Sequence, residues 1–346
     1  MYVVRPVEPA DVGALETLLA ASTPGVHTLP RTREKIAAFV ERSVASFAAH
    51  VDIPSEESYL FVLEDVESRE LVGTAAIHAS AGSNGTYFAF RNDVIQQVSR
   101  DLNISHSVHA LTLCSELTAY SQLSGFYIRH SATAGHEAAL LSRARLLYAV
   151  LAPHRFGDRF FVPLAGVTDE HGQSPFWDAL GRKFFKMDFL DAERTIGGAR
   201  NRTLIVELMP HYPVYVPLLP GPAQAVMGQI HPSGELAFDL LTEEGFEADE
   251  YIDIFDGGPI LQAHKHALHS FSGSMVKKVA NAELQPPTRG GKAAMVNYAV
   301  ASSERKFRAI VLPCDPAESS DAICLPPAAR EALGVATGDS VICVRI

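Results

Sequence analysis

The chain has 346 residues, of which 47% are hydrophobic and 20% charged, with a formal net charge of -11 at pH 7. The length predicts about two domains with a sizeable core, and the acidic balance argues against a nucleic-acid partner while suiting a cationic or neutral substrate. No run approaches about 18 consecutive apolar residues, which excludes a spanning helix and a membrane partner, and Cys114, Cys314, Cys324 and Cys343 lie far apart without C-x-x-C spacing, which points to a reducing cytoplasm.

Tyr2 to Arg5 reads as a first strand, and the start lacks the charged region and apolar stretch of a signal peptide. Asp11 is placed to cap a helix to about Ala20, with Val12, Leu15, Leu18 and Leu19 as its apolar stripe. Arg33 to Ala49 predicts a second helix. Tyr59 to Leu63 and Leu71 to Ala79, joined by the charged turn Glu64 to Glu70, read as a hairpin, and Val108 to Leu113 and Ser124 to Ile128 as further strands. Ala134 to Leu151 predicts a helix that buries Leu140, Leu141, Leu147 and Val150. Arg159 to Val167 is β-branched and aromatic, a buried strand, and Thr203 to Leu208 reads as another.

Between those two strands lies Asp169-Glu170-His171-Gly172-Gln173-Ser174-Pro175-Phe176-Trp177, a polar loop leading into a short helix opened by Pro175 and stopped at Gly181, before Phe184-Phe185. A later passage echoes it: a helix from Glu235 to Thr242, then Tyr251-Ile252-Asp253-Ile254-Phe255-Asp256-Gly257-Gly258-Pro259. Gln285 to Gly291 is Pro/Gly-rich and marks a linker. After it come predicted strands Ala294 to Val300, Lys306 to Leu312 and Val341 to Ile346, with a short helix from Pro326 to Leu333. The expected division is 1-280, with halves of roughly 1-200 and 201-280, and a small β-rich C-terminal module, 292-346.

Strand, polar loop, Pro-opened helix, Gly stop and aromatic pair, in that order and echoed, resemble the acyl-CoA cleft of GNAT-type N-acyltransferases. Acyl transfer from a thioester to an amine needs the acyl-CoA held, the amine neutral, the oxyanion stabilised and the thiolate protonated as it leaves. In such folds a strand with free backbone groups takes the pantetheine arm, and the amides opening the next helix take the pyrophosphate. Here the strand is Ser124-Gly125-Phe126-Tyr127-Ile128 and the connecting segment is Thr133-Ala134-Gly135-His136-Glu137-Ala138. That segment keeps Ala138 of the usual Arg/Gln-x-x-Gly-x-Gly/Ala pattern, but has Thr133 and His136 where Arg/Gln and the first Gly belong. His136 crowds the amides and Glu137 adds negative charge, so the segment alone predicts a weak or absent CoA site. Arg129, Arg143 and Arg145 either compensate or are solvated charges on a helix face.

His231, just before the helix at Glu235, either donates a proton to a departing thiolate or hydrogen-bonds the helix start. Asp253 and Asp256 either hold a cationic substrate or order the turn before Gly257-Gly258. His171 and His211 read as ordinary loop histidines. His264, His266 and His269 do not match a metal-binding helix face, so no metal site is expected.

With Glu207-Leu208-Met209-Pro210-His211-Tyr212-Pro213-Val214-Tyr215, the two long passages closely resemble the arginine N-succinyltransferase family, from Val4-Arg5-Pro6 to Gly338-Asp339-Ser340-Val341. The altered Thr133–Ala138 segment and the run from His211 to Pro220 are most like its alpha-subunit branch. The resemblance implies a GNAT-type α/β fold with two related halves and transfer of succinyl from succinyl-CoA to the α-amine of arginine, or of ornithine, in cytoplasmic arginine catabolism. It implies that His231 is the proton donor and that the co-substrate lies along Phe126 and Ile128 towards Ala138, without a metal. Asp253 and Asp256 are the candidates for holding the cationic substrate. A homologous beta subunit, or further copies of the chain, is the implied partner. The altered loop keeps an alternative in view: a non-catalytic or weakly active subunit that supports a catalytic beta homologue.

Overall fold

The computed structural model describes residues 1–20, 32–83, 85–196, 202–281, 296–302, 304–314 and 321–346. Among them the strands, in chain order, are β1 (Tyr2–Pro6), β2 (Ser58–Asp65), β3 (Leu71–His78), β4 (Ala89–Ser99), β5 (Ile104–Cys114), β6 (Ser121–Ile128), β7 (Arg159–Pro163), β8 (Val214–Tyr215), β9 (Glu247–Ile252), β10 (Pro259–His264), β11 (Met275–Asn281), β12 (Val296–Ser302), β13 (Arg308–Cys314), β14 (Ala322–Leu325) and β15 (Ser340–Arg345). They join in one sheet, ordered β14-β11-β15-β12-β13-β1-β2-β3-β6-β7-β10-β9-β4-β5-β8.

The predicted hairpin is β2–β3, and its near-continuous apolar sequence follows from burial on both faces. Side chains alternate along the strand, so Tyr59, Phe61 and Leu63 meet α3 (His136–Leu151), while Leu60 and Val62 meet α1 (Val12–Ala20) and α2 (Arg33–Ala48). Each fully buried Leu or Ile in these layers stabilises the fold by about 1.5–3 kcal/mol relative to exposure. Asp11 does not cap α1 as expected. It ends a 3-10 turn, Pro9–Asp11, and its carboxylate accepts from the Glu8 amide at 2.7 Å and pairs with Arg5 at 2.8 Å.

α3 is buried on more than the one side predicted. Ser142, Arg143 and Arg145 are inside along with Leu140, Leu141 and Leu147, because the C-terminal strands and α9 (Glu235–Glu244) cover its far side. Arg143 is accommodated by Glu244 at 3.0 Å and by the Arg345 carbonyl at 2.6 Å.

Beyond β7 the sheet carries short helices: α4 (Pro175–Ala179), α5 (Gly181–Phe185), α6 (Phe189–Ile196), α7 (Arg202–Leu208) and α8 (Gly221–Val226). They bury Phe176, Trp177, Phe189 and Ile205 against Phe90, Phe161 and Phe255. The strand expected at Thr203–Leu208 is therefore helix α7. Leu204 and Leu208, and Ile205 and Met209, sit one helical turn apart and face the same core, a spacing that outweighs the β-branched composition.

The C-terminal strands extend this sheet. β13 pairs with β1 through Val3↔Ile310 and Val4↔Ala309, and β11, which precedes the expected linker, pairs with β14 and β15. Two short helices, α10 (His269–Ser272) and α11 (Pro327–Leu333), complete this part. The linker Gln285–Gly291 and the start of the strand expected at Ala294 lie outside the described residues. Across the expected division near residue 200, β4 and β5 pair with β9 and β8. Among the described residues no helix is long and apolar enough to cross a membrane.

Candidate active site

The parallel contact between β6 and β7 covers just Ser121↔Phe160 and Gln122↔Phe161. β6 then continues to Ile128 against β3 alone, leaving an opening between it and β7. The cause is local. The β3–β6 register slips between Thr74↔Tyr127 and Ala76↔Ser124, with Gly125 at φ 59, so a bulge bends β6 away from its parallel neighbour.

Arg145 sits beneath that bulge, 1% exposed. Its Nη1 donates to the Ser124 carbonyl at 3.5 Å, Nε and Nη2 to the Ser142 carbonyl and hydroxyl at 3.1 and 3.0 Å, and its guanidinium lies 5.7 Å from the Phe126 ring centroid. Burial pushes Arg145 down to about 9, with the Glu244 charge acting the other way, so it stays cationic at neutral pH. Phe126, half-buried, and Ile128, buried, thus lie on the strand walling the opening.

The opposite wall is the continuation of β7. The Leu164 amide bonds the Pro259 carbonyl beside β10, so by strand alternation Ala165 directs its carbonyl to the other edge, the one facing β6. There it accepts from the His231 amide at 2.8 Å, while Ile230 forms an antiparallel bridge with Gly166. His231 is thereby docked on the edge of β7 that borders the opening. Its Nδ1 accepts from the Ser233 amide at 3.2 Å and lies 2.7 Å from the Ser233 hydroxyl. That is the helix-start bond considered from sequence, and it occupies only one ring nitrogen. With Nδ1 as acceptor the neutral ring carries its hydrogen on Nε2, which has no hydrogen-bond partner among the described residues.

The two long sequence passages meet behind this wall. Trp177 stacks on Phe255 with centroids 5.3 Å apart, and a Cβ on Gly257, at φ 70, would lie 2.8 Å from the Phe176 ring. Ser174 caps α4 by accepting from the Trp177 amide at 3.1 Å. Asp256, 1% exposed, accepts from the Gly166 amide through Oδ2 and from the Gly258 amide through Oδ1, both at 2.8 Å. Asp253 accepts from the Phe255 amide at 2.7 Å and the Asp256 amide at 3.3 Å. In these bonds both carboxylates accept from backbone N–H groups around the turn. Gly228 closes the frame by donating to the Gly257 carbonyl at 2.8 Å. Sequence reasoning missed Ala165, Gly166 and Ser233 as the residues that place His231, and Arg145 as the support of the bulge.

The start of α3 matches the altered loop. The Glu137 carboxylate accepts from the Gly135 amide at 3.0 Å, so an internal anion caps this helix, and the His136 ring is engaged by the Asn297 amide group at 2.7 Å. Ala138 is buried at 1% exposure, leaving backbone as what it can offer. Arg143 and Arg145 are engaged within the core, and Arg129 pairs with Glu70 at 3.4 Å. His171 donates its amide to Asp169 and His211 bonds the Val206 carbonyl, both outside this site. Burial, more than its neighbours' charges, pushes the Cys114 thiol up to about 11, so it is no thiolate nucleophile at neutral pH. Among the described residues no group of three or more His, Cys, Asp or Glu could hold a metal.

A family model described as the arginine N-succinyltransferase beta subunit matches residues 2–270, and one for the C-terminal domain of that subunit matches residues 283–345. The chain belongs to the arginine N-succinyltransferase family. Among its relatives in this family, the arginine N-succinyltransferase subunit alpha of Pseudomonas aeruginosa is 44% identical over 347 residues, covering 100% of both chains. An arginine N-succinyltransferase of Escherichia coli is 34% identical over 349 residues, covering 100% of this chain and 98% of that one. The solved structure of arginine/ornithine succinyltransferase subunit AI from Pseudomonas aeruginosa superposes with a TM-score of 0.87 at 42% identity, over 100% of this chain and 98% of that one. The fold is the mixed α/β class expected from sequence and is shared with that succinyltransferase subunit. Membership makes the chain an acyltransferase, with acyl-CoA as its class of co-substrate.

Proposed function

We propose that this chain is an active arginine N-succinyltransferase of the alpha type, transferring succinyl from succinyl-CoA to the α-amine of arginine, with ornithine as the competing acceptor. The observation that carries the reading is His231, held by its own backbone on the β7 edge that borders the β6–β7 opening, with Nε2 left unbonded. The neutral amine attacks the thioester carbonyl, forming the C–N bond, and the C–S bond breaks as the tetrahedral intermediate collapses. The proton lost from the attacking nitrogen balances the one taken up by the sulfur. His231 Nε2 hands it over, directly or through water, and the Ser233 hydroxyl beside Nδ1 can donate to the neutral ring or accept from the charged one. Backbone N–H groups of the open edge of β6 would face the oxyanion.

The test is His231→Ala in the full chain, followed by release of CoA thiol with arginine and with ornithine. Turnover falls by about 10²–10⁴ with an unchanged circular dichroism spectrum. Undiminished turnover in a folded variant would remove His231 from the chemistry.

A second reading rests on the Glu137 carboxylate, which already occupies the Gly135 amide at the helix start where a pyrophosphate would go. In that reading the chain supports a catalytic beta homologue. Calorimetric titration with succinyl-CoA separates the two: binding by the chain alone favours the active enzyme, and binding only after the homologue is added favours the supporting subunit.

A further inference from the structure

The buried side of α3 beneath the β6 bulge holds two cations and one anion. Arg143 and Arg145 are 7% and 1% exposed, and Glu244, whose charge acts on Arg145 from a distance, is 2% exposed. Glu244 pairs with Arg143 at 3.0 Å. Arg145 has no carboxylate in ion-pair contact among the described residues. Its bonds run to the Ser142 carbonyl and hydroxyl and, at 3.5 Å, to the Ser124 carbonyl. A guanidinium has five N–H groups, so Nη1 and Nη2 each keep one to give. Buried charges are normally paired, because taking an ion out of water is costly. A surplus cation inside one wall of the opening therefore calls for an anion from outside the chain.

The acyl group supplies one at the right depth. Counting along both strands from Gln122↔Phe161 sets Ala165, and the His231 docked on it, level with about Phe126. Ser124 lies deeper by two residues, a rise of about 7 Å. CoA enters from the open end, where α3 begins, so a thioester beside His231 points its acyl chain towards Ser124. The carbon chain of succinyl spans about 4 Å extended, and a hydrogen bond adds about 3 Å. The distal carboxylate thus comes to the level of the Ser124 carbonyl that Arg145 bonds. The rival cations are placed otherwise. Arg143 is held by Glu244, and Arg129 follows β6 at the open mouth, paired with Glu70 at 3.4 Å.

We propose that Arg145 sets acyl specificity, its buried guanidinium being the counter-ion of the distal carboxylate of the succinyl group. The half-buried Phe126 ring, with its centroid 5.7 Å from the guanidinium, screens the pair from water at the wall. An acyl-CoA that lacks the carboxylate leaves the cation unpaired, and a site built for a polar group rejects the analogue without it. The inference rests on the succinyl-CoA reading and deepens it.

The experiment is calorimetric titration of the full chain with succinyl-CoA and with butyryl-CoA, which has the same carbon skeleton but a methyl in place of the carboxylate. The wild type should bind succinyl-CoA about 10–100-fold more tightly. Arg145→Met should bring the two within about threefold, while Arg145→Lys keeps most of the preference and Arg129→Met all of it. A general loosening of the site would weaken both ligands together and leave their ratio in place. The wild type gives a second readout that needs no folded variant. A preference that comes from a buried pair survives a rise in salt from about 0.05 to 0.5 M, whereas an exposed cation is screened, and the phosphates common to both ligands drop out of the ratio. Equal affinities in the wild type, a preference that salt abolishes, or one that Arg145→Met leaves intact would each overturn the inference while the acyl-transfer reading stands. Binding of neither thioester by the folded chain would overturn that reading as well.

Discussion

Asp256 divides its carboxylate between two amides, Gly166, three residues past β7, and Gly258, just before β10. Gly166 adjoins Ala165, whose carbonyl holds the His231 backbone, so this buried carboxylate positions the ring without touching it. Asp256→Asn sets an N–H against one of those donors and leaves it unbonded, at a cost of about 1–3 kcal/mol. Because a small misplacement of a catalytic group costs far more in rate than in binding, kcat should fall by about 10–100-fold. Thermal unfolding and steady-state kinetics check both, and a variant that loses stability but keeps kcat would show that Asp256 does not set the place of His231. The sequence displayed Asp253 and Asp256 plainly. The bond from Gly166 to Asp256 was not readable, because that partner lies 90 positions away, whereas the partners of Asp253 are the local Phe255 and Asp256 amides. Ser233 was closer to hand: a hydroxyl two residues after a histidine, ahead of a helix, is a local capping signal.

Among the elements, α3 begins where the proposed CoA site would take its phosphates. Its boundaries were nearly right from sequence because the apolar residues that pack it are its own. The crowding of its start was also legible, since Glu137 and His136 stand where small residues belong; Glu137 bonds the nearby Gly135 amide, and His136 bonds Asn297 on β12. Glu137→Ala removes an anion from a helix N-terminus, where a negative group is stabilised by about 1 kcal/mol. If the pyrophosphate enters there, the substitution should tighten CoA by about fivefold in a calorimetric titration. Unchanged or weaker binding would mean that the phosphates lie elsewhere. Elements whose packing comes from distant segments were harder to read. α7 carries a strand-like composition, and its helical face has meaning only against Phe90 and the aromatic core. β4 escaped notice because its outer half is exposed on both faces, so no period-2 burial pattern is written along it.

For the molecule as a whole, the join between β13, β1 and β2 makes one sheet of the two ends of the chain, and no local signal announces it. A charged group lies beside that join. Arg5 on β1 meets Glu64 on β2 at 2.6 Å and Asp11 at 2.8 Å, while Arg69 reaches Glu64 at 2.9 Å. Burial alone would raise the Glu64 carboxyl, but hydrogen bonds from Arg69 and Arg5, and their charges, outweigh it and hold the group below the usual range. The unfolded chain, with an ordinary glutamate near pKa 4.3, then binds more protons than the folded one between the two values. The contribution of Glu64 is therefore fully present above about pH 4.3 and is lost as pH falls through the lower folded value. Glu64→Gln should cost about 2 kcal/mol at pH 7, less than the 3–5 kcal/mol of a fully orphaned buried ion, because Arg5 keeps Asp11. Urea unfolding at pH 7 and at steps down to about pH 3 should show the gap between wild type and variant closing in acid. A gap that stays constant across that range would mean that the pair contributes by packing, and that charge does not secure the seam between the first strand and the C-terminal strands.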